Sequence, residues 1–363
     1  MLPGVPMRRA LLCLAVSTLF PLASVQAAGL FIPIETPEVQ LSGVSPNGQY
    51  AVGSIAYTAA FRWTAATGAE DLLTALNSAQ GINDAGTIAG SVPEDGGAIE
   101  GGRDLGAYAP VGTEPVLLTQ TLHTNATGYG VSDGNTVVGL SFEDDFAGAA
   151  IAYQWTAATG MTALPVNRPA NYSRANAISA DGRVIAGWND QDDGGRTAVI
   201  WIDGVPMDVQ DDAGIAVGEA SAVSADGTFV VGSSYFVSME ESGAWRWSAG
   251  DGVLLVPGMP FAFGVSADGN TVVGSTGFFD VPPRAPMVWR KGLGTVTLSD
   301  FLAEHAIEIP AGWDMSGGLT GISADGNTLV GWAFGPSGMQ SYVIRLEPEN
   351  RDVIFVDGFD GAQ

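Results

Sequence analysis

The phrase GVSADGNTVVGS occupies residues 264–275, and GISADGNTLVGW occupies 321–332. A phrase that recurs within one chain constrains the fold more than any local propensity, because each copy must form the same small unit. The phrase occurs seven times: GVSPNGQYAVGS (43–54), GINDAGTIAGS (81–91), GVSDGNTVVGLS (130–141), AISADGRVIAGW (177–188), AVSADGTFVVGS (222–233) and the two above. The closing glycines, Gly53, Gly90, Gly139, Gly187, Gly232, Gly274 and Gly331, are spaced on average by roughly 46 residues. A second phrase keeps the same beat and carries Trp63, Trp155, Trp201, Trp247 and Trp289.

Each unit reads as four strands. A short apolar stretch ends in Val-Ser or Ile-Ser, and Asp-Gly supplies a tight turn, since both residues tolerate left-handed dihedrals. Asp181-Gly182, Asp226-Gly227, Asp268-Gly269 and Asp325-Gly326 are these turns, and the spacing of oxygen ligands that calcium needs is missing around them. An aliphatic strand, the Trp strand and a last short strand complete the unit, with the tryptophans as filler between units. Repeats two and three lack one residue in the turn, and repeat two lacks the Trp. Four strands per period suggest an all-β, seven-bladed propeller spanning residues 28–346. Repeat seven stops after its third strand, while Leu30–Ile34 is a spare strand before repeat one. Pairing of the two would close the ring and cover an open edge.

The phrase, alternating with the A-F-x-W phrase over roughly residues 30–346, resembles the bacterial HAF-type extracellular repeat family. LSDFLAEHAIEIPAGWDMSGGLTGISADG (298–326) resembles that family's longer connector, with a candidate helix at Ser299–Glu308. The resemblance implies an exported, propeller-shaped protein and carries over no activity or functional residue.

Residues 1–27 read as a secretory signal peptide. Arg8 and Arg9 precede an apolar run from Ala10 to Ala23, and Val25 and Ala27 suit a cut before Ala28. Cys13, the single cysteine, falls in this leader, so the mature chain must hold itself together through its core. No later stretch is apolar enough to span a membrane. Losing Arg8 and Arg9 takes the formal charge from −25 to about −27, which disfavours nucleic acid and anionic membrane surfaces. The expected product is a periplasmic, secreted or surface protein, monomeric, without a required cofactor. The tail, residues 347–363, holds a compact apolar phrase (Val353–Phe359) that is similar to short terminal sorting phrases of exported proteins.

Catalytic chemistry has little to work with. His123 and His305 are the mature histidines; neither lies in a recognisable motif, and both read as surface residues. Carboxylates are concentrated instead. The loops between second and third strands hold Glu94, Asp95, Glu100, Asp104, Glu143, Asp144, Asp145, Asp190, Asp192, Asp193, Glu240, Glu241 and Asp280, against Arg103, Arg196 and Arg284. In an up-and-down blade these loops share one rim with the connections between blades. Three readings compete for it: a solvated face; a binding face for a cationic, glycan or protein ligand, or for calcium at Asp190, Asp192 and Asp193; and a glycoside hydrolase or lyase using a carboxylate pair. The favoured reading is a non-enzymatic binding or surface-interaction module.

Overall fold

The computed structural model describes residues 29–346, apart from 56–57, 95–101, 120–121, 144–147, 235–242 and 278–283. Seven four-stranded antiparallel sheets form a ring, a seven-bladed β-propeller with one short helix. The first strand of each repeat is innermost and touches the first strands of both neighbours. Blade seven is built from Asp314–Ile322, Thr328–Gly335 and Gly338–Arg345, completed on its outer edge by Leu30–Pro33. Leu30 pairs with Arg345 and Pro33 with Tyr342, so the expected closure is present. The helix, Leu298–Glu304, is shorter than the expected segment; Thr297 caps it, and it buries Leu298, Phe301 and Leu302.

The core is divided among the junctions. Seven apolar clusters each join one blade to the next, for example Val52 and Ala60 of blade one with Ala79, Ile88 and Ala107 of blade two. Trp63, Trp155 and Trp201 are buried in these clusters, while Trp247 and Trp289 pack against them half-buried.

The repeated turn has a common geometry. In Ser-Ala-Asp-Gly the Ser carbonyl accepts the Gly N–H, and the Ser hydroxyl donates to the Asp carboxylate, as from Ser266 to Asp268 at 2.6 Å. The same carboxylate oxygen accepts the N–H of the residue after Gly, and the Ser oxygen accepts the N–H that opens the next strand. Gly182, Gly227, Gly269 and Gly326 have φ of 67–80°. Repeat three departs from the expected alignment: in Ser132-Asp133-Gly134-Asn135 it is Asn135 that takes the left-handed position, at φ 59°. Asn is the residue that best replaces Gly there, so one lost residue is absorbed without opening the turn. The turns also tie the ring together. Ala180 N–H donates to Ala225 O, Ala267 to Ala324 O and Ala324 to Pro46 O, at 2.8–2.9 Å.

The turn carboxylates make stability depend on pH. The Ser179 hydroxyl holds Asp181 below its ordinary value. At Asp226, Asp268 and Asp325 burial alone would push the pKa up, but the Ser and backbone hydrogen bonds outweigh it and the net direction is down. An acid depressed in the folded state contributes stability above its unfolded value and loses it as pH falls through the folded one. The melting temperature should therefore drop below about pH 4. In blade one Asn47 performs the same role, accepting from Ser45 at 2.8 Å. The combined variant Asp181→Asn, Asp226→Asn, Asp268→Asn and Asp325→Asn should fold at neutral pH and lose less stability in acid. Calorimetric melting curves from pH 7 to 2.5 would check this, and an unchanged acid limb would refute it.

Candidate functional site

Every innermost strand carries one extra residue at the same place. The register skips at Ser42, Gln80, Tyr129, Asn176, Ser221, Phe263 and Thr320. A β-bulge re-aims its side chain, and all seven residues line one central cavity of about 440 Å³. Arg174, Glu219, Arg284 and Trp332 line it too. Arg284 comes from a second-to-third-strand segment, so the cavity opens on the rim that carries those loops.

The wall has a rigid polar side. Glu219 is nearly buried; its Oε1 accepts from Arg174 at 2.7 Å and from Asn176 at 2.9 Å, and its Oε2 accepts from Arg196 at 2.5 Å. Arg174 Nε donates to Asn176 Oδ1 at 2.6 Å. The guanidinium groups of Arg174 (5.4 Å) and Arg196 (4.0 Å) both lie over the Trp188 ring, and Arg174 also stacks on Tyr129 at 5.0 Å. Burial alone would lower the Arg174 pKa, but Glu219 and Tyr129 outweigh it and hold it above the ordinary value. Across the channel Arg284 stacks on Trp332 at 4.8 Å. Three bulge side chains tie blades together: Ser42, Asn176 and Thr320 donate to Ala79, Ala220 and Leu41 carbonyls at 2.7–2.8 Å. Gln80 and Ser221 form no side-chain hydrogen bond among the described residues.

The acids expected on the rim have other employment where the structure describes them. Glu94 ends a strand and pairs with Arg103. Asp104 lies within a strand, rather than in the expected loop, and accepts from Asn77 at 2.7 Å. Glu143 accepts from Thr124 at 3.1 Å and pairs with His123 Nδ1 at 2.9 Å. His123 is thus largely buried, which corrects its reading as a surface residue, and His305 Nδ1 lies 2.8 Å from Phe301 O. Asp190 sits 3.5 Å from Arg196; burial raises its pKa against the pull of that arginine. Asp192 accepts from Asn171 and Asp193 from the Gly195 N–H. Asp95, Asp144, Asp145, Glu240 and Glu241 lie outside the described residues, as do the leader and the tail. Among the described residues no group of three or more metal-ligating side chains occurs, and no helix is long and apolar enough to cross a membrane.

Reading the sequence by its loops missed the cavity. A signal was available in the phrase itself: Ser54, Ser91, Ser233 and Ser275 follow the closing glycine, but Trp188 and Trp332 stand there in blades four and seven. The two tryptophans flank the cavity's two cationic groups, while Leu140 holds the same place in blade three.

No family model matches the chain, and no curated protein matches it. Among solved structures it is similar to the RRP9 WD40 repeats (13% identity, 88% of this chain and 99% of that one, TM-score 0.52) and to U3-55K (12%, 87% and 98%, TM-score 0.52). It is also similar to a putative TolB from Agrobacterium tumefaciens (18%, 62% and 83%, TM-score 0.46). At these identities the likeness is one of fold: the chain is a β-propeller of the kind that WD40 repeats also form.

Proposed function

We propose that this is an exported, non-enzymatic binding module of the HAF-type repeat class, and that its ligand enters the central cavity on the loop-bearing rim. One observation carries the reading. The repeat is nearly uniform where it builds turns and junctions, and it varies where seven bulge residues meet the channel: Ser, Gln, Tyr, Asn, Ser, Phe and Thr. A ring that needed only to fold has little use for six different side chains spread over seven equivalent positions. The volume lies within the roughly 300–1,000 Å³ of small-molecule sites. Export rests on the leader-like residues 1–27, and the family assignment on the sevenfold phrase.

A glycosidase would place two carboxyl groups about 5–10 Å apart around its substrate. Among the described residues the cavity wall holds one, Glu219, and both its oxygens are engaged by arginines. A carboxylate clamped in this way serves better as a positioning group than as a proton donor.

The test is a plug. Ser221→Trp, and Gln80→Trp in another blade, should fill the channel without touching the rim loops. Labelled mature protein on glycan and peptide arrays should bind at least one ligand class, and both plugs should lower that signal at least tenfold with the melting temperature kept. Equal binding by the plugged variants would move the site off the channel and overturn the proposal.

A further inference from the structure

We infer that the cavity takes the end of a glycan, one or two sugar rings held by a polar wall and one aromatic face; this rests on the channel being the binding site. A sugar offers hydroxyls that each donate and accept, on a ring whose C–H faces are apolar. Recognition therefore needs donors and acceptors side by side, fixed in place, with an aromatic ring nearby.

The cavity supplies that combination. Arg174 and Glu219 present a fixed donor and acceptor pair: each holds the other at 2.7 Å, and Asn176 bonds to both. Arg174 keeps N–H groups beyond those bonded to Glu219 and Asn176, and Glu219 Oε2 has one bond, to Arg196, so each can take a sugar hydroxyl. Glu219 is shared between Arg174 and Arg196, and Asp190 lies 3.5 Å from Arg196, so two cations face two carboxylates and the cluster carries no formal net charge. Gln80 and Ser221 line the same cavity, and neither side chain is engaged within the described protein. Each can donate and accept. Phe263 is the aromatic face. Its ring stacks loosely on Phe261, at 6.5 Å between centroids, and it lines the cavity half-buried.

A peptide is the rival ligand, and the backbone argues against it. An extended peptide binds by adding a strand to a free sheet edge. The channel-facing edges here belong to the seven innermost strands, and each is broken by a bulge at the cavity. A bulge interrupts the ladder and twists the edge, so no strand offers a continuous row of partners. The strongly acidic chain repels polyanionic glycans at a distance, and the one further cation on the wall, Arg284, is stacked on Trp332, so the proposal commits to neutral sugars.

Saturation-transfer difference NMR on the mature protein tests this with cellobiose, maltose, N,N′-diacetylchitobiose and lactose as probes, beside the peptide Gly-Ser-Gln-Ala. At least one disaccharide should receive saturation, strongest at its ring C–H protons. Phe263→Ala and Gln80→Ala should each reduce the transfer at least fivefold while circular dichroism and melting temperature stay unchanged. Silence from all four sugars, or transfer that survives both variants, overturns the sugar assignment. If the peptide alone responds and the Ser221→Trp plug removes its signal, the channel remains the binding site and only the ligand class falls. If the plug leaves every signal intact, the channel reading falls as well.

Discussion

Replacing Gly274 with alanine should cost about 3 kcal/mol or more and lower the melting temperature by roughly 5–10 °C. A Cβ at Gly274 would lie 1.8 Å from the Phe261 carbonyl oxygen and 2.9 Å from Met259 Sδ. The sulfur could move, but the carbonyl belongs to the innermost strand and can yield only if that strand shifts. The same approach recurs at all seven closing glycines, where a Cβ would meet the facing carbonyl at 1.8–2.2 Å. The glycine is therefore required by the close approach of two strands beside the bulge, and its own φ is not left-handed. Gly250→Ala is the control, since nothing lies within 4 Å of its Cβ position. Thermal and urea denaturation of both variants decide the matter. A Gly274→Ala protein as stable as the Gly250→Ala protein would mean that the strands are not packed this closely.

That closing glycine also explains how much could be read in advance. Blade number, ring closure and turn positions are written in the repeat, because each copy must satisfy the same steric demands. Asp268 must bridge the Ser266 hydroxyl and the Asn270 N–H, and Gly269 must reach a left-handed φ, so both residues recur. The cavity is different. A bulge adds one residue to a strand and leaves no compositional mark, so Asn176 and Ser221 look like ordinary strand residues. Arg174 and Glu219 come from neighbouring blades, 45 residues apart in sequence, and meet only when blades four and five pack. The abundant loop acids lie on the rim where the cavity opens, but among the described residues Glu219 is the one acid that lines the cavity itself. Where the structure describes the loop acids, most are occupied by local donors such as Arg103, Asn171 and the Gly195 N–H. The useful contrast lay between copies, where Trp188 and Trp332 replace serine.

The second large effect is expected at Arg246, which is 2% exposed. Its Nη1 donates across the junction to Gly269 O at 2.7 Å, and its Nη2 pairs with Asp251 at 3.0 Å. The guanidinium stacks on Phe229 at 4.8 Å, and a Cβ at Gly269 would lie 2.6 Å from that same ring. Blade one repeats the arrangement: Arg62 reaches Gly86 O at 3.2 Å and Asp71 at 3.3 Å, with Tyr50 against Gly86. In both places an arginine of the Trp strand grips the turn of the next blade through the carbonyl of its left-handed glycine. Two effects add in Arg246→Ala: a cavity beside Phe229, and a buried carbonyl that loses a charged donor. Together they should cost about 3–4 kcal/mol. Asp251 is half-exposed, so Asp251→Asn should cost less than about 1 kcal/mol. Arg246→Met restores volume without the donor and should fall between the two. Urea denaturation of the three variants gives the order. If Arg246→Ala and Asp251→Asn were equally mild, the junction would be held by apolar packing alone, and the arginine grip would be incidental to it.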